Sequence, residues 1–570
     1  MKKHHTSPNR YAGLPRLCRS PLLASLSFMI SAISPSFGAT NLSWRIEYDN
    51  QDRVAARIDP AGRVTHYTYT PPTNGPLQSV TQTPPEGAPV TWGFDAAGQL
   101  AAMTDGAGEV AYRYDKNRRL ESVARKGAPE IHYTYDTAGR LDGMKVGDFY
   151  HVSWTYDFLG RIVKMDTLAG AISYEYLTGQ NTVVRALPNG VKTLWTRQAD
   201  GQLKEIIHGL FKKPDDEKYL ELAQYSYTYG ADGKITNVRE SSGQTNVELR
   251  YTYDTMGRLV RAAGAGGCQY GYTYDLVGNR VKASASGCPD QICAYDWAGR
   301  LTSVDGKPCA YDECGNLTNV AVNGVARQYR YQSDGRLAET RTGSETVQYR
   351  YDGFGCLVAR KTPGGETRFL PDPLAQFWRP LVMDEPDGRR ALVIWDGDTP
   401  LAIMRAGQAE WLLPDHLGSV RLVVDGKGAV ERQCQYDPFG VPDDEGKSDT
   451  LFPGLTGLFW DGRTGGYVTL ARALAPALGS FLQPDPVKRI PLEVARDHSV
   501  YAYCGSDPVN LKDLDGCRSR GLKPCPAFFP SPGDSISDRC GQIIRDNYSC
   551  GSLCPPTIRS NSARHSIYEQ

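Results

Sequence analysis

Cysteine is the residue here that most readily does chemistry, and the chain has 14 of them. Their distribution is uneven, because none lies between Cys18 and Cys268. Cys309 and Cys314 are close in sequence, but no His or Cys set with zinc-finger spacing accompanies them, so no metal or other cofactor is predicted. If the chain is exported, some of its cysteines are expected to form disulfides.

The histidine that most resembles a catalytic base is His416, in the sequence Pro-Asp-His-Leu-Gly. A base of this kind needs a nearby nucleophile, and no Ser or Cys motif such as G-x-S-x-G occurs in the chain. We therefore expect His416 to be a turn residue that is hydrogen-bonded to the backbone.

The bulk composition favours sheets and turns over helices. The chain contains 59 Gly and 33 Tyr but only 15 Phe and 8 Met. Glycine permits tight turns and tyrosine fits pleated, half-buried surfaces. Basic and acidic residues number 64 each, so the formal net charge is zero and gives no electrostatic reason to expect nucleic acid or an anionic membrane as a partner.

One phrase returns between about residue 45 and residue 360: Tyr-x-Tyr, Asp, two variable residues, Gly, a polar residue and an aliphatic one. The two tyrosines project from the same face of a strand, and the Asp starts a turn by accepting backbone N–H groups. The Gly takes the positive-φ position, and the aliphatic residue begins the return strand. Asp115, Asp136 and Asp157 follow one another at 21-residue steps. This period fits two strands with their turns, so the pattern predicts a long antiparallel sheet.

These copies resemble the YD repeats of bacterial RHS proteins, insecticidal toxin-complex C components and teneurins. The resemblance covers residues 42–516 and implies an all-β fold, a spiralling antiparallel β-sheet shell that is partial here and is followed by a small irregular tail. In bacterial relatives such shells hold a C-terminal toxic segment unfolded or sequestered. A β-propeller, with two copies in each blade of about 40 residues, is the competing architecture.

The resemblance divides the chain into a signal peptide at residues 1–39, YD repeats at 42–365, an RHS repeat-associated core domain at 366–516 and a variable Cys-rich segment at 517–570. The core contains the sequences DHLGSVR and YDPFG. Within it, we expect one short helix in residues 470–479, ended by Gly479.

The resemblance also supplies the only catalytic set. In bacterial relatives the core is an intramolecular aspartyl-type protease that cuts just past a D-P-x-G-L sequence. Its arginine maps onto Arg472, and its two acidic residues map onto Asp485 and Asp513. Two nearby carboxyl groups can separate their pKa values, so that one holds a proton while the other activates water, and an arginine can keep one ionised.

This chain departs from that pattern in three places. Leu514 stands where Pro is usual, Cys517 stands where Leu is usual, and residues 472–476 read Arg-Ala-Leu-Ala-Pro instead of Arg-Tyr-Tyr-Asp-Pro. The arginine and both acidic positions remain. The alternative to a cleavage site is a structural turn at residues 513–516.

The N-terminus has the pattern of a secretory signal peptide. Basic residues precede an apolar stretch at residues 22–33, and small residues follow near Ala39. The apolar stretch is short for a bilayer span. The protein is therefore expected to be secreted, at the cell surface or in the periplasm, with no membrane span in the mature chain. An uncleaved anchor and a misassigned start are the alternatives.

Three functions agree with these features. The first is a shell of the polymorphic-toxin type, with an immunity protein or a delivery apparatus as partner and with self-cleavage near Gly516. The second is a secreted or surface scaffold that contacts carbohydrate or protein and has no toxin or enzyme activity. The third is an orphan fragment of a larger RHS protein. The tail after Gly516 is short for an enzyme and is otherwise a disulfide-tied or disordered segment.

Overall fold

The computed structural model describes residues 44–71, 78–211, 218–243, 245–264, 269–443, 451–486 and 499–521. Within these ranges the regular structure is almost entirely antiparallel strand, and no α-helix occurs. This confirms the prediction of an all-β antiparallel fold. The helical segments in the same ranges are short 3₁₀ turns: Thr178–Gln180, Leu455–Gly457, Pro476–Leu478 and Tyr503–Ser506.

The first sheet is a meander of 25 described strands in which each strand pairs with the next along the chain. Its strands are β1 Arg45–Tyr48, β2 Val54–Ile58, β3 Val64–Thr70, β4 Ser79–Thr83, β5 Val90–Phe94, β6 Leu100–Asp105, β7 Gly108–Tyr114, β8 Leu120–Arg125, β9 Ile131–Tyr135, β10 Leu141–Val146, β11 Tyr150–Tyr156, β12 Ile162–Thr167, β13 Gly170–Leu177, β14 Thr182–Ala186, β15 Val191–Arg197, β16 Leu203–Phe211, β17 Tyr219–Tyr229, β18 Ile235–Ser242, β19 Thr245–Tyr253, β20 Leu259–Gly264, β21 Gln269–Tyr274, β22 Arg280–Ala285, β23 Gln291–Tyr295, β24 Leu301–Val304 and β25 Lys307–Pro308.

The second sheet is a similar meander of 13 described strands. They are β26 Ala310–Tyr311, β27 Leu317–Val322, β28 Val325–Tyr331, β29 Leu337–Thr342, β30 Glu345–Tyr351, β31 Leu357–Thr362, β32 Gly365–Pro371, β33 Pro380–Asp384, β34 Arg390–Asp396, β35 Thr399–Arg405, β36 Gln408–Pro414, β37 Val420–Val424 and β38 Val430–Gln433. This sheet runs without interruption across residue 366. The division of the chain at residue 366 stays a prediction.

Two small sheets follow the second meander. The first contains β39 Phe452–Pro453, β40 Phe459–Asp461, β41 Gly466–Val468, β42 Ala473–Ala475 and β43 Ser480–Phe481, and the second contains β44 Leu511–Lys512 and β45 Arg520–Gly521. The helix expected in residues 470–479 is therefore wrong. Residues Ala473–Ala475 form β42, which pairs with β41 on one side and β43 on the other. Only Pro476–Leu478 is helical, as a 3₁₀ turn that ends at Gly479, whose φ is +66°.

The repeated turn has the expected structure. In the copy at Asp136, Oδ1 accepts the N–H of Arg140 at 2.9 Å, and Gly139 has φ +84°. The Arg140 side chain adds a contact that the pattern alone did not reveal, because its Nε donates to Asp136 Oδ2 at 2.7 Å. The same Asp–Arg pair closes the turns at Asp49, Asp59, Asp115, Asp157, Asp254 and Asp296, and Asn takes the place of Arg in the turns at Asp275 and Asp312.

A second bond joins most of the repeats to the one before. Tyr135 Oη donates to the carbonyl oxygen of Leu120 at 2.8 Å, and its ring lies 4.4 Å from the Arg119 guanidinium. Equivalent hydroxyl-to-carbonyl bonds are made by Tyr69, Tyr114, Tyr156, Tyr176, Tyr253, Tyr274, Tyr295, Tyr331, Tyr351 and Tyr436. The second tyrosine of each pair therefore links neighbouring hairpins, while the first is buried in the core at positions such as Tyr112 and Tyr133.

The two meanders face each other in chain order. Polar contacts between them include Tyr133 with Asp372, Tyr150 with Val393, Arg185 with Asp396, His208 with Pro414, and Arg421 with Glu240. The side chains of this interface also form one apolar cluster that runs from Val80 to Val509. Successive strands of the second sheet are thereby held against successive strands of the first.

Candidate functional site

Three short elements bring together the residues taken from the resemblance. Arg472 precedes β42, Asp485 lies beyond β43, and Asp513 follows β44. The N–H of Asp485 donates to the carbonyl oxygen of Val500 at 3.0 Å, which ties the chain after β43 to the segment that leads to β44. All three side chains are buried.

Arg472 is the centre of the cluster. Its Nη2 lies 3.5 Å from Asp485 Oδ2 and 3.4 Å from Asp513 Oδ2. Its Nε donates a short hydrogen bond to the carbonyl oxygen of Gly516, and its Nη1 donates to the carbonyl oxygen of Val500 at 3.2 Å. One guanidinium therefore contacts both carboxyl groups and the carbonyl oxygen of the Gly516–Cys517 peptide bond.

Two neighbours fix the position of that guanidinium. Its carbon atom lies 3.6 Å from the centre of the Phe481 ring. The hydroxyl of Thr469 donates to the carbonyl oxygen of Arg472 at 2.7 Å and accepts its N–H at 3.1 Å. The backbone and the head group of Arg472 are thus held separately, which leaves little freedom to the cation.

Residues 513–516 form a tight turn against Arg472. Asp513 Oδ1 accepts the N–H groups of Gly516 at 2.9 Å and of Cys517 at 3.1 Å. Gly516 has φ +78°, and a side-chain carbon there would overlap the hydroxyl of Thr469 and lie 3.1 Å from the Arg472 nitrogen. Glycine is required at this position, both for the turn and for the approach of its carbonyl group to Arg472.

Burial has a large electrostatic effect at Asp513. Loss of solvation raises the pKa of Asp513 to about 7, against the opposing effect of the Arg472 charge, and the neighbouring Asp515 raises it further. The carboxyl group is therefore partly protonated near neutral pH. A partly protonated carboxyl group and a second carboxyl group around one arginine form an arrangement suited to general acid–base hydrolysis.

The positions that depart from the relatives' pattern are accommodated by packing. Leu514 is buried in a small apolar cluster with Tyr503, Cys504 and Phe481. Cys517 is partly exposed, and burial raises the pKa of its thiol, so the thiol is protonated at neutral pH.

The other chemical groups singled out from the sequence make structural contacts. His416 Nε2 donates to the carbonyl oxygen of Val509 at 2.9 Å, as expected for a turn histidine. The eight described cysteines have free thiols, so the expected disulfides do not occur among them, and the other six lie outside the described residues. Within the described ranges, no group of three or more ligand side chains is placed to hold a metal ion.

Several expectations fall outside the part of the chain that is described. These are the signal peptide and most of the segment after Gly516. Among the described residues, no helix is long and apolar enough to cross a membrane.

Sequence reasoning missed two contributors to the cluster. Thr469 positions Arg472, and Asp515 Oδ1 accepts the N–H of Cys517 at 2.8 Å. Asp515 fills the variable position of the D-P-x-G-L sequence, so the resemblance assigned it no role. The presence of a second carboxyl side chain only two residues after Asp513 could have indicated that Asp515 contributes to the cluster.

Comparison with known proteins gives both family and structural matches. A family model of the teneurin YD-shell matches residues 113–209 and 217–509, more than half of the chain. A model of the RHS repeat matches residues 94–130. No curated protein matches the sequence.

Among solved structures, the chain is similar to one in the crystal structure of TcdB2-TccC3-TEV, at 17% identity, over 83% of this chain, with a TM-score of 0.67. It spans 27% of the length of that chain. The crystal structure of TcdB2-TccC3 matches at 15% identity over 83% of this chain and 34% of the other, and the Photorhabdus luminescens Tc holotoxin pore at 14% over 87% and 34%. The TM-score of both is only 0.25, so the likeness of fold rests on the first structure.

Proposed function

This chain belongs to the teneurin YD-shell family, and we propose that it is an exported shell protein of the polymorphic-toxin type. In this proposal it encloses its own C-terminal segment, residues 517–570. It releases that segment by hydrolysing the Gly516–Cys517 peptide bond. The observation that carries the cleavage proposal is the hydrogen bond from Arg472 Nε to the carbonyl oxygen of Gly516. Both candidate carboxyl groups contact the same guanidinium.

The relatives' pattern would place the cut just past position 517, but the contacts of the Gly516–Cys517 bond favour hydrolysis one bond earlier. A cation on the carbonyl oxygen polarises the carbon and stabilises the oxyanion that forms when water adds. On the other side of the bond, the Cys517 nitrogen lies 3.1 Å from Asp513 Oδ1. The bond is therefore held between a positive charge at its oxygen and carboxyl groups at its nitrogen.

The reaction that we propose is a single hydrolysis. Asp485, which lies beside Arg472, takes a proton from water, and the water oxygen bonds to the Gly516 carbonyl carbon. The bond to the Cys517 nitrogen then breaks, and that nitrogen takes up a proton from the acidic side of the cluster, where Asp513 is partly protonated. The products are a carboxylate at Gly516 and a fragment that begins with Cys517.

Export and enclosure rest on different observations. The basic and apolar residues near the N-terminus support export. Enclosure is supported by the family and by the position of Gly516, whose carbonyl group and N–H are both buried in the cluster. A delivery apparatus and an immunity protein are the partners that this function requires.

Intact-mass analysis of the purified full chain tests the cleavage. We expect a fragment of about 6 kDa, residues 517–570 at the chain's mean residue mass, from wild type but not from Asp485→Asn or Asp513→Asn. Arg472→Lys should also fail, because it keeps the charge but loses the Nε bond to Gly516. Asp425→Asn, in an exposed turn of the second sheet, is the matched control.

The outcomes separate the candidate functions. A fragment whose N-terminal residue is Cys517 forms a thiazolidine with an aldehyde, which identifies the cut bond. Equal cleavage in wild type and in both aspartate variants would exclude the carboxyl mechanism. Absence of the fragment from wild type would leave the scaffold without enzyme activity as the function.

A further inference from the structure

The turn at residues 230–234 is a copy of the repeat turn that lacks the carboxyl group of the repeat. Its backbone is closed in the usual way, because the N–H of Gly230 donates to the carbonyl oxygen of Lys234 at 2.8 Å. In the copy at Asp136, the aspartate side chain also binds the side chain of Arg140. Glycine has no side chain, so position 230 offers Lys234 no carboxyl group.

A carboxyl group reaches this turn from the segment that leads to the candidate site. Asp507 Oδ2 forms a short ion pair with Lys234 Nζ across 273 residues. Asn510 makes two further bonds to the first sheet, because its Oδ1 accepts the N–H of Ile235 at 2.9 Å and its Nδ2 donates to Tyr253 Oη at 3.0 Å. The same Nδ2 donates to Asp507 Oδ1 at 2.8 Å. The turn and its neighbouring strand are thus a docking site for residues 507–510.

Burial makes the ion pair important for docking. The Asp507 side chain is 4% exposed, and a buried carboxylate that loses its cation is strongly unfavourable. The backbone before Asp507 also depends on its surroundings, because Cys504 and Ser506 have φ of +51° and +66°. Residues other than glycine keep this conformation only where nearby contacts hold it. Loss of Lys234 therefore removes a contact that holds the segment in its docked conformation.

The docked segment ends at the candidate site. Asp513 lies six residues after Asp507. Between them, the N–H of Leu511 donates to the carbonyl oxygen of Asp507 at 3.2 Å, and Lys512 Nζ lies 2.9 Å from Asp398 Oδ2. Because the connection is short and held by these contacts, a displacement of Asp507 also displaces Asp513.

We propose that Lys234 and Asp507 are positioning residues for the self-cleavage. Their ion pair docks the segment before Asp513 on the first sheet and so brings the Asp513 carboxyl group to Arg472. The inference rests on the hydrolysis proposed above. It couples cleavage to assembly of the shell, because the cleavage site is complete only after the turn at residues 230–234 has formed and bound Asp507.

A general contribution of the ion pair to stability is the competing explanation, and Gly230→Asp separates the two roles. This substitution restores the carboxyl group of the repeat, so Lys234 gains a partner within its own turn and Asp507 meets a second negative charge. The new side-chain carbon would lie 2.8 Å from Asp232 Oδ1, which belongs to an exposed side chain that can move. The turn is then completed as in the other copies, while Asp507 is displaced.

The test follows cleavage of the full chain with time in a cell-free translation reaction. We expect Gly230→Asp and Lys234→Met to slow cleavage about 10- to 100-fold, the effect of displacing a reacting group by about 1 Å. Lys234→Arg keeps the cation and should cleave at close to the wild-type rate. Gln198→Asp is the matched control, because it adds the same carboxyl group at the corresponding position of the preceding turn, and it should not slow cleavage.

Hydrogen exchange reports docking without cleavage, in the Asp485→Asn background. We expect Gly230→Asp to speed exchange of the peptide that covers residues 499–512 and to leave residues 182–197 of the first sheet unchanged. Gln198→Asp should change neither region. A general loss of stability would instead speed exchange in both regions.

The outcomes separate this inference from the proposed function. Wild-type cleavage by Gly230→Asp, with none by Asp485→Asn, would overturn the positioning role and leave the proposed hydrolysis intact. Equal slowing by Gln198→Asp and Gly230→Asp, or faster exchange in both regions, would show an effect on stability alone and would also overturn it. If wild type does not cleave, the proposed function fails and this inference fails with it.

Discussion

Replacing Gly516 by alanine should slow the proposed self-cleavage about 100-fold, and Gly98→Ala should leave its rate unchanged. Both glycines have φ +78°, so alanine meets the same left-handed backbone cost of about 1–2 kcal/mol at each position. Around Gly98, an added carbon would meet nothing within 4 Å. At Gly516 it would overlap Thr469 Oγ1 and press on the backbone of Arg472. The difference between the two variants therefore isolates the packing of the turn against Arg472.

The size of the effect follows from these contacts. To relieve the overlap, Gly516 must move by about 1 Å, and its carbonyl oxygen moves away from Arg472 Nε. A misplacement of this size at a reacting group costs about 100-fold in rate. The added overpacking should lower stability by about 1–3 kcal/mol beyond the loss in Gly98→Ala. Cleavage with time and thermal melting measure the two effects. If Gly516→Ala cleaves at the rate of Gly98→Ala, the contact with Arg472 does not assist the reaction.

Three further predictions concern stability. Burial raises the pKa of Asp513, so the protonated carboxyl group contributes to the free energy of unfolding. This contribution should be full below about pH 4 and lost as the pH rises through about 7. The melting temperature of Asp513→Asn should not show this loss. Tyr135→Phe removes the hydrogen bond to the carbonyl oxygen of Leu120 and should lower the free energy of unfolding, measured in urea, by about 1 kcal/mol. Arg360→Met leaves Asp461 buried without its ion pair and should cost about 3–5 kcal/mol, while Arg368→Met, in an exposed pair, should change stability by less than about 1 kcal/mol.

The features that the sequence predicted correctly depend on local geometry. The turn at Asp136 is complete within five residues, so the residue types alone specify it. The recurrence of that turn identified the sheet, and the family match confirms the resemblance from which the shell was predicted. The hydroxyl bond of Tyr135 was missed because its acceptor, Leu120, lies on the strand of the preceding hairpin.

Contacts distant in sequence could not be predicted in this way. Arg185 and Asp396 form a buried pair across 211 residues, and their pairing depends on how the two meanders lie against each other. The short helix expected before Gly479 failed for a similar reason. Its alanines and leucines favour a helix in isolation, but β42 gains partners on both sides, and tertiary pairing outweighs intrinsic propensity.

The site itself is a modified copy of the repeat turn. In both turns an Asp accepts the N–H four residues ahead, and a Gly with positive φ lies three residues ahead. In the repeat, burial acts to raise the pKa of Asp136, but hydrogen bonds from Arg140 outweigh it and the pKa is lowered. Position 517 is Cys instead of Arg, so the local cation is missing, and burial raises the pKa of Asp513 instead. The cation that reaches this turn, Arg472, comes from another element and also binds the turn's own carbonyl group. A structural turn thereby acquires a partly protonated carboxyl group and a contact between a cation and its own peptide carbonyl group, and the proposed cleavage depends on both of these features together with Asp485.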